Sequence, residues 1–337
     1  MKRHGGLYEK ICTMENLELA FYLAQRGKLW QRKVRNIAKH KTEALEKIQK
    51  MLIDRKYKTS RYHLKEVYEP KRRVIYVLPF YPDRIVQHAV MNIVAPIWDN
   101  MFIKDSYACR QGKGQHKGSV RCMQFVKRNR YCLQCDISKF YPSMNHKKLI
   151  EIIARKIKCK DTLALFAEII ESIPGETNVP IGNYTSQWFG NLYLNELDQV
   201  MKHKYKVRDY IRYCDDFLLF FKTKEEAKRF IPIITDFVEN TLLMRLSKCS
   251  LFPVSQGVDF LGYRHFPDGK ILLRKSTAKR VMRRIRALPW KLKHGYITKD
   301  KAISVIASTD GWLQRANTYN LKKAIKMREI KKYAALF

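Results

Sequence analysis

Three aspartates occupy positions where a bound cation would best explain the chemistry. Asp215 and Asp216 are adjacent, and two apolar runs, YIRY and FLLFF, flank them. Asp136 ends another alternating apolar segment, residues 130–136. Like charges crowded beside apolar strands cost free energy unless an opposite charge offsets them. Carboxylate oxygens are hard ligands, so the pattern favours a divalent cation such as Mg²⁺, although an isolated Asp-Asp pair is more often only a polar turn.

Short strands would have to position these aspartates. The pattern around 213–216 is typical of a tight β-hairpin that carries two carboxylates at its tip. The alternation at 130–136 indicates a further strand, which a sheet can place beside the hairpin. The sequence therefore predicts that the three carboxylates converge at one end of a sheet.

The rest of the chain predicts a mixture of helices and strands. One-sided apolar faces at 17–24 and 44–52 predict helices, whereas 64–80 predicts two strands joined by a charged turn with a basic KRR at 71–73. Further helices are predicted at 149–157, 163–173, after 181, and at 225–243 despite Pro232. Short strands follow at 256–273, and basic helices from 276 onward, with Val281, Ile285 and Leu288 on one side.

The net charge indicates the class of partner. Lys+Arg minus Asp+Glu is 67 − 31 = +36, and the isoelectric point is about 9.9. The basic excess lies in the first sixty residues, in 110–130 and in 274–293. This distribution favours a long groove that follows the phosphate backbone of a nucleic acid and binds it in a salt-dependent way. One lysine-rich run alone would indicate only a solvated surface.

Other patterns argue against several classes of protein. The N-terminal MKRHGGLYEK lacks the apolar stretch of a signal peptide, and no apolar window of about 18 residues could span a membrane, so we expect a cytoplasmic protein. Eight cysteines then indicate reduced thiols. Cys132 and Cys135 form a C-x-x-C, but strand packing is favoured over zinc because no second pair has ligand spacing. The Gly-Lys-Gly at 112–114 lacks the spacing of a phosphate loop.

Several motifs together resemble those of reverse transcriptases. YCDD at 213–216 is similar to their Y-x-D-D box, and CDISKFYPS at 135–143 to the strand with their other catalytic aspartate. The resemblance covers about residues 7–321 and includes IGNYTSQ at 181–187, the Lys248 region, FLGY at 260–263, which is similar to the primer grip, and SYACRQGKGQH at 106–116. Most members have Gln-Gly followed by Ser-Pro. This chain has Ile181-Gly182 and Ser186-Gln187, the signature of diversity-generating retroelements of bacteria and phages.

The resemblance implies an α+β fold of the right-hand polymerase type. Residues 1–100, with a contribution from 142–180, would form the fingers; 101–141 and 181–265 the palm with its antiparallel sheet; and 266–337 a helical thumb. Asp136, Asp215 and Asp216 would be catalytic, and together with Ile137 they would bind two Mg²⁺ ions, although the ligand set also accepts Mn²⁺. Two such ions about 4 Å apart would activate the primer 3′-hydroxyl and stabilise the leaving pyrophosphate.

The resemblance also implies a nucleotide site. Tyr141 would lie under the sugar of the incoming nucleotide and clash with a 2′-hydroxyl, although a core tyrosine is the alternative. Gly182 would let the backbone approach the nucleotide closely, although a turn glycine would look the same. Ile181 and Gln187 belong to the segment that packs on this nucleotide. Because Ile181 replaces a side chain that can hydrogen-bond, base-pair geometry would be checked less stringently, and error-prone copying follows as a hypothesis.

Four basic residues are candidates for phosphate contacts. The guanidinium groups of Arg72, Arg73 and Arg110 could bind the triphosphate of the nucleotide, because their planar forks match phosphate oxygens. The resemblance places Lys248 near the pyrophosphate, where it could protonate the leaving group. Each arginine could equally be an ordinary surface charge.

The whole pattern predicts an RNA-directed DNA polymerase that makes error-prone cDNA from a retroelement template RNA. The implied partners are the template RNA, an RNA/DNA primer-template, dNTPs and a small basic accessory protein that forms a ring. A group II intron maturase or a retron enzyme is the alternative, which Ile181 and Gln187 disfavour. An RNA-binding scaffold without chemistry is the alternative outside enzymes, and the presence of all three aspartates argues against it.

Overall fold

The computed structural model describes residues 3–68 and 72–336. Helices and antiparallel strands are interspersed, which confirms the predicted α+β class. The helices are α1 Tyr8–Cys12, α2 Met14–Gln25, α3 Arg32–Lys39, α4 Lys41–Ile53, α5 Ile85–Asp99, α6 Gln115–Arg128, α7 His146–Ala154, α8 Lys160–Ile170, α9 Tyr184–Gln199, α10 Lys224–Asp236, α11 Lys275–Arg286, α12 Leu288–Lys293, α13 Lys299–Leu313, α14 Tyr319–Ala324 and α15 Met327–Leu336. The strands are β1 His63–Val67, β2 Arg73–Val77, β3 Tyr131–Ile137, β4 Tyr210–Tyr213, β5 Asp216–Phe221, β6 Leu246–Pro253, β7 Val258–Phe260, β8 Tyr263–His265 and β9 Ile271–Leu273.

The central element of the described ranges is a four-stranded antiparallel sheet with the order β4-β5-β3-β6. Successive side chains of a strand point to opposite faces, so each face of this sheet has its own core. Leu133 of β3 joins the large core that contains α2, α5 and α9. The adjacent Cys132 joins a second cluster with Phe125 of α6. Helices therefore cover both faces, and β3 is buried along most of its length.

The N-terminal helices have the apolar faces that the sequence predicts. The buried residues are Leu17, Ala20, Phe21 and Ala24 of α2 and Ala44, Leu45, Ile48 and Leu52 of α4. Both faces contribute to the large core, in which α2 packs along α5. The ring of Trp98 on α5 stacks on Phe166 of α8 at a centroid distance of 5.3 Å. Residues 142–180 are thereby packed against the N-terminal helices, as expected if both belong to the fingers.

Strands β1 and β2 form the predicted hairpin, with His63 opposite Val77 and Val67 opposite Arg73. Lys71, part of the basic KRR, lies outside the described residues. The Tyr76 N–H donates a hydrogen bond to the Ile181 carbonyl at 2.7 Å. The hairpin is thus tied to the segment that precedes α9.

The last part of the chain forms the predicted basic helices. Strands β7, β8 and β9 make a small antiparallel sheet, and α11–α15 follow it as a group that we call the C-terminal bundle. Val281, Ile285 and Leu288 are buried as predicted, in a hydrophobic cluster of the bundle itself. No helix in the described ranges has both the length and the apolar character needed to cross a bilayer.

Candidate active site

The adjacent aspartates lie at the turn of the β4–β5 hairpin. Tyr213 pairs with Asp216, so Cys214 and Asp215 form a two-residue loop. Cys214 has a φ of 54°, in the left-handed region that a side chain other than glycine rarely adopts. A backbone held in this region requires support from its surroundings, and such residues are frequent at functional sites.

A buried ion pair supplies this support. Arg212 and Asp198 are both fully buried, and Arg212 Nη2 lies 2.6 Å from Asp198 Oδ2. Arg212 Nη1 donates to the carbonyl of Cys214 at 3.0 Å and to Asn191 Oδ1 at 3.2 Å, while the Tyr210 hydroxyl donates to Asp198 at 2.6 Å. Burial alone would lower the pKa of Arg212, but the charge of Asp198 and its hydrogen bonds raise that pKa above its ordinary value. The cation is therefore retained beneath the turn.

Asp136 occupies the corresponding end of β3. Its carboxylate accepts a hydrogen bond from the Ser247 hydroxyl at 2.7 Å, and it lies opposite Lys248 in the register between β3 and β6. The register shifts between Asp136 and Ile137, where the strand changes direction. Strand β6, which the sequence analysis does not predict, thus supplies two side chains next to this aspartate.

Gln134 is a central residue of the site that sequence reasoning missed. Its buried amide oxygen accepts from Lys248 Nζ at 2.9 Å, and its amide nitrogen donates to Asp216 Oδ1 at 3.3 Å and to the Asp259 carbonyl at 3.0 Å. One amide thus connects the candidate proton donor to one of the predicted catalytic carboxylates. A polar residue within the buried segment YCLQCD was the available signal, because a buried amide requires partners.

The electrostatics of Asp216 are those of a crowded carboxylate. Burial raises the pKa of its carboxyl from the usual 3.8 to about 7; the charges of Asp136 and Asp215 add to this rise, and the hydrogen bond from Gln134 opposes it. The carboxylates of Asp136 and Asp215 are therefore both close enough to Asp216 to repel its charged form. A cation would relieve this repulsion.

The donor set fits a hard divalent cation, since it offers carboxylate oxygens and the nearby Ile137 carbonyl. Among the described residues, no three or more His, Cys, Asp or Glu side chains form a group that could hold a metal ion, so the predicted ligand set stays a prediction. The carboxylate of Asp136 is directed to Ser247 and that of Asp216 to Gln134.

Gly182 lies where a side chain cannot fit. Its φ is 132°, and a Cβ built on it would lie 2.2 Å from the carbonyl oxygen of Tyr76. A cavity of about 170 Å³ adjoins this contact, and Arg84, Gln87 and Asn183 contribute to its wall. The missing side chain of Gly182 thus lets β2 lie against the Ile181–Gly182 segment. The predicted close approach of a nucleotide would be a second reason for this glycine.

Tyr141 lies beside the aspartate-bearing turn. Burial raises the pKa of its hydroxyl, and the thiols of Cys214 and Cys109 and the carboxylate of Asp215 raise it further. Its hydroxyl oxygen would be 3.3 Å from a Cβ on Gly190, so the glycine in α9 leaves room for the ring. The ring is half-buried, so part of it is accessible from solvent.

The family profile described as reverse transcriptase (RNA-dependent DNA polymerase) matches residues 37–265, more than half of the chain. The chain belongs to the reverse transcriptase family. This reverse transcriptase is 25% identical to Protein YkfC of Escherichia coli (strain K12) over an alignment of 260 residues, with coverage of 63% of this chain and 66% of that protein. It is 23% identical over 258 residues to the group II intron-encoded protein LtrA of Lactococcus lactis subsp. cremoris, with coverage of 55% of this chain and 43% of that protein.

These matches cover less than two thirds of the length of either relative. Among solved structures, apo telomerase from Candida tropicalis is similar, with a TM-score of 0.51 and 11% identity over 82% of this chain and 63% of that chain. The likeness agrees with the predicted right-hand polymerase fold.

The arginines predicted to contact the triphosphate differ in their surroundings. Arg72 is exposed on the β1–β2 hairpin and pairs with Glu66 at 2.6 Å, and Arg73 is exposed at the start of β2. Arg110 is different, because its Nε pairs with Asp99 at 2.6 Å and its other nitrogens donate to the carbonyls of Ile103, Ser106 and Asp99. The guanidinium of Arg110 thus holds a loop of the reverse transcriptase against the end of α5, and its contact with the triphosphate stays a prediction.

The remaining predicted positions lie near the start of α9 and on β6. Gln187 is exposed in the first turn of α9, whereas the Ser186 hydroxyl is buried and donates to the Pro180 carbonyl at 2.7 Å. Ile181 is partly buried, and its carbonyl accepts the hydrogen bond from Tyr76. Lys248 is exposed on β6 and in contact with Gln134. Gln187 thus has an accessible side chain, whereas Ser186 fixes the turn.

The pKa of Asp216 predicts how the stability of this reverse transcriptase depends on pH. In metal-free protein the folded state keeps a proton on Asp216 up to about pH 7, whereas the unfolded chain releases it near 3.8. The contribution of Asp216 to the free energy of unfolding is therefore largest below pH 4 and is lost as the pH rises to 7. We expect Asp216→Asn to gain stability relative to wild type between pH 5 and pH 8, measured by urea denaturation with EDTA. The same pH dependence in both proteins would contradict this.

Gly182→Ala tests the contact between β2 and the Ile181–Gly182 segment. We expect a loss of thermal stability and a rise in KM for dNTP, because the Cβ would displace the Tyr76 carbonyl. Gly175→Ala is the matched control, since Gly175 has a φ of 112° but nothing within 4 Å of its Cβ position. If both variants behaved alike in melting and steady-state kinetics, backbone strain alone would explain the effect.

Proposed function

We propose that this chain is an RNA-directed DNA polymerase of the diversity-generating retroelement type, which makes error-prone cDNA from its own template RNA. The observation that carries the proposal is that adjacent strands of a reverse transcriptase bring Asp136 beside the turn with Asp215 and Asp216, and that Gln134 links Asp216 to Lys248. The net charge of +36 supports a nucleic-acid substrate.

The carboxylates of Asp136, Asp215 and Asp216 and the carbonyl of Ile137 are the groups that would hold two Mg²⁺ ions, with Mn²⁺ as the alternative. When bound, such ions lower the pKa of a primer hydroxyl and neutralise charge on the leaving pyrophosphate. The pKa of Asp216, raised to about 7 by burial and by its neighbours, supports this assignment.

The other residues would bind and orient the substrates. Lys248, whose ammonium group donates a hydrogen bond to Gln134 at 2.9 Å, would donate a proton to the departing pyrophosphate. Tyr141 would exclude a 2′-hydroxyl and thereby select dNTPs. Arg72 and Arg73 are exposed on the hairpin that contacts the Ile181–Gly182 segment, and we propose that they contact the triphosphate.

The cavity beside Gly182 supports a nucleotide-recognition role for this region. Among the described residues, Arg84 Nε, Gln87 Nε2 and Asn183 Oδ1 are buried polar atoms without a hydrogen-bond partner, and all three side chains line the cavity. Unpartnered buried polar atoms are costly, and a polar ligand offsets this cost. The aliphatic side chain of Ile181 next to them offers no hydrogen bond, which supports lax checking of the base pair.

We also propose the binding partners and the cellular location of the enzyme. Template RNA, an RNA/DNA primer-template and dNTPs would be bound between the predicted fingers, palm and thumb, with a small basic ring-forming accessory protein as a further partner. The enzyme would act in the cytoplasm of a bacterium, encoded by the bacterium or a phage. A group II intron or retron enzyme is the second candidate, and the similarity to the group II intron-encoded protein LtrA is the observation that favours it.

The deciding experiment is primer extension on RNA with dNTPs and Mg²⁺, with and without cognate RNA and accessory protein, followed by sequencing of the cDNA. The retroelement type predicts frequent errors at template adenines. Ile181→Gln should make copying more accurate, because it restores a side chain that can hydrogen-bond. Accurate cDNA from the wild type would favour the second candidate, and the absence of aspartate-dependent cDNA would favour an RNA-binding scaffold.

A further inference from the structure

Three aromatic side chains form a stack on the surface of the C-terminal bundle. Trp290 lies on α12, and His294 and Tyr296 follow this helix. The rings of Trp290 and Tyr296 stack at a centroid distance of 5.1 Å and an interplanar angle of 17°, and the His294 ring lies 4.6 Å from that of Trp290. His294 Nδ1 donates to the Trp290 carbonyl at 2.9 Å, which fixes its ring. We call these three residues the aromatic stack.

Packing of the bundle does not account for the aromatic stack. Trp290 is 55% exposed and Tyr296 69% exposed, and neither belongs to the hydrophobic cluster of the bundle. Leu288 is buried in that cluster, and Leu292 and Ile297 pack against it. The same short segment therefore directs its aliphatic side chains inward and its rings outward. Leaving large rings in water forgoes a substantial gain from burial.

The surface around the aromatic stack is basic. Residues 275–293 contain no Asp or Glu, and their cations are Lys275, Lys279, Arg280, Arg283, Arg284, Arg286, Lys291 and Lys293. The same bundle has a groove of about 930 Å³, and Arg280, Arg283, Arg284 and Lys291, the residue that follows Trp290, contribute to its lining. Trp312 also lines the groove, and its ring would be 3.1 Å from a Cβ on Gly262 of the FLGY turn. Trp312 thus connects the groove to this turn.

We infer that this surface binds single-stranded nucleic acid, with an unpaired base on the aromatic stack and the adjoining phosphates along the groove. Exposed rings beside a row of cations are the combination that single-stranded nucleic acids recognise, because an unpaired base exposes a face for stacking and its backbone carries charge. A duplex hides the faces of its bases. The inference rests on the proposed nucleic-acid partner but not on the polymerase chemistry, because none of the three aspartates contributes to the surface.

The test measures binding of labelled twelve-nucleotide oligomers by fluorescence anisotropy, in the absence of dNTPs. The oligomers are RNA, DNA, and a DNA of the same length whose sugars lack bases. We compare wild type with Trp290→Ala/Tyr296→Ala and with the matched control Tyr319→Ala, since Tyr319 is 73% exposed on the same bundle. We expect the double variant to lose roughly tenfold in affinity for RNA and DNA, as for the loss of one stacked base. Its affinity for the abasic oligomer should be unchanged.

A salt titration separates stacking from phosphate contacts. Lys291→Ala/Lys293→Ala should weaken binding of all three oligomers and reduce the slope of log affinity against log salt by about one per lost contact. The slope of the aromatic variant should equal that of wild type. Crosslinking of an oligomer that contains 4-thiouridine, mapped by mass spectrometry, should identify the segment around 290–296.

The inference is overturned if the aromatic variant binds every oligomer like wild type, if its loss extends equally to the abasic oligomer, or if Tyr319→Ala shows the same loss. Unchanged melting temperatures exclude unfolding as the cause. Primer extension on a fully paired primer, performed with the same variants, tests the proposed polymerase separately. Base-dependent binding without aspartate-dependent cDNA would refute the proposed polymerase activity but still support binding of single-stranded nucleic acid at the aromatic stack.

Discussion

We expect Asp216→Asn to reduce primer extension on an RNA template by at least about 10³-fold, while the protein stays folded and binds RNA. Asparagine keeps the shape of the side chain but removes the charge that a divalent ion requires. Stabilisation of the transition state by bound metal is worth several kcal/mol, and each 1.36 kcal/mol corresponds to a factor of ten in rate. The measurement is the initial rate of cDNA synthesis at saturating dNTP, together with RNA affinity and the melting temperature.

Asp236→Asn is the matched control for this prediction. Asp236 is exposed on α10, where its carboxylate accepts a hydrogen bond from Asn240 at 2.8 Å. Its replacement removes one negative charge from the same chain without touching the β4–β5 turn, so the rate should stay within twofold of wild type. Retention of a tenth of the activity by Asp216→Asn would show that this carboxylate is not essential to the chemistry.

Asp198→Ala is expected to have the largest effect on stability, a loss of about 3–5 kcal/mol in the free energy of unfolding. The substitution leaves the guanidinium of Arg212 charged and fully buried, without its carboxylate partner. It also frees the Tyr210 hydroxyl and loosens the Arg212 hydrogen bond to the Cys214 carbonyl. Urea denaturation followed by circular dichroism measures the loss.

Two controls separate the buried charge from the loss of a side chain. The double variant Asp198→Leu/Arg212→Met removes both charges, so it should recover part of the stability. Its activity should stay low, because the Cys214 carbonyl no longer accepts a hydrogen bond from the Arg212 guanidinium. Glu43→Ala breaks an exposed pair with Lys47 and should leave the unfolding midpoint unchanged. A loss in Asp198→Ala no greater than that in Glu43→Ala would mean that the pair does not stabilise the hairpin.

The elements that carry the aspartates were predictable because their side chains alternate. The apolar runs on each side of Cys214-Asp215-Asp216 are β4 and β5, and the segment that ends at Asp136 is β3. The one-sided faces of α2 and α4 were equally clear. Periodicity shows which face of an element is buried, and each of these elements has such a pattern.

Other elements lack a periodic pattern of apolar residues from which they could be predicted. Most residues of α5 are buried, so it has no polar face from which a helical period stands out. Strand β6 combines Ser247, Lys248 and Ser250 with scattered apolar residues, because it lies at the edge of the sheet and is only partly covered. Its side chains contact Asp136 and Gln134. Because the strand was not predicted, these contacts of the candidate site were not predicted either.

Residue type also does not show which groups an arginine contacts in the folded chain. Arg110 occurs in a motif that resembles a phosphate-contacting segment, yet its nitrogens are engaged with Asp99 and with backbone carbonyls. Arg212 attracted no functional prediction, yet it supports the aspartate-bearing turn from below. The distinction depends on which carbonyls and carboxylates the folded chain brings within reach, and spacing along the sequence does not contain that information.

The order of strands in the central sheet has a consequence for synthesis on the ribosome. Strand β3 ends at Ile137, but its neighbours β5 and β6 end only at Phe221 and Pro253. At about 5–20 residues per second, a nascent chain would carry β3 with an unpaired edge for roughly 6–23 s. Apolar strands with open edges aggregate readily. We therefore expect the yield of this protein to depend on chaperones that shield residues 131–137 until β6 has emerged.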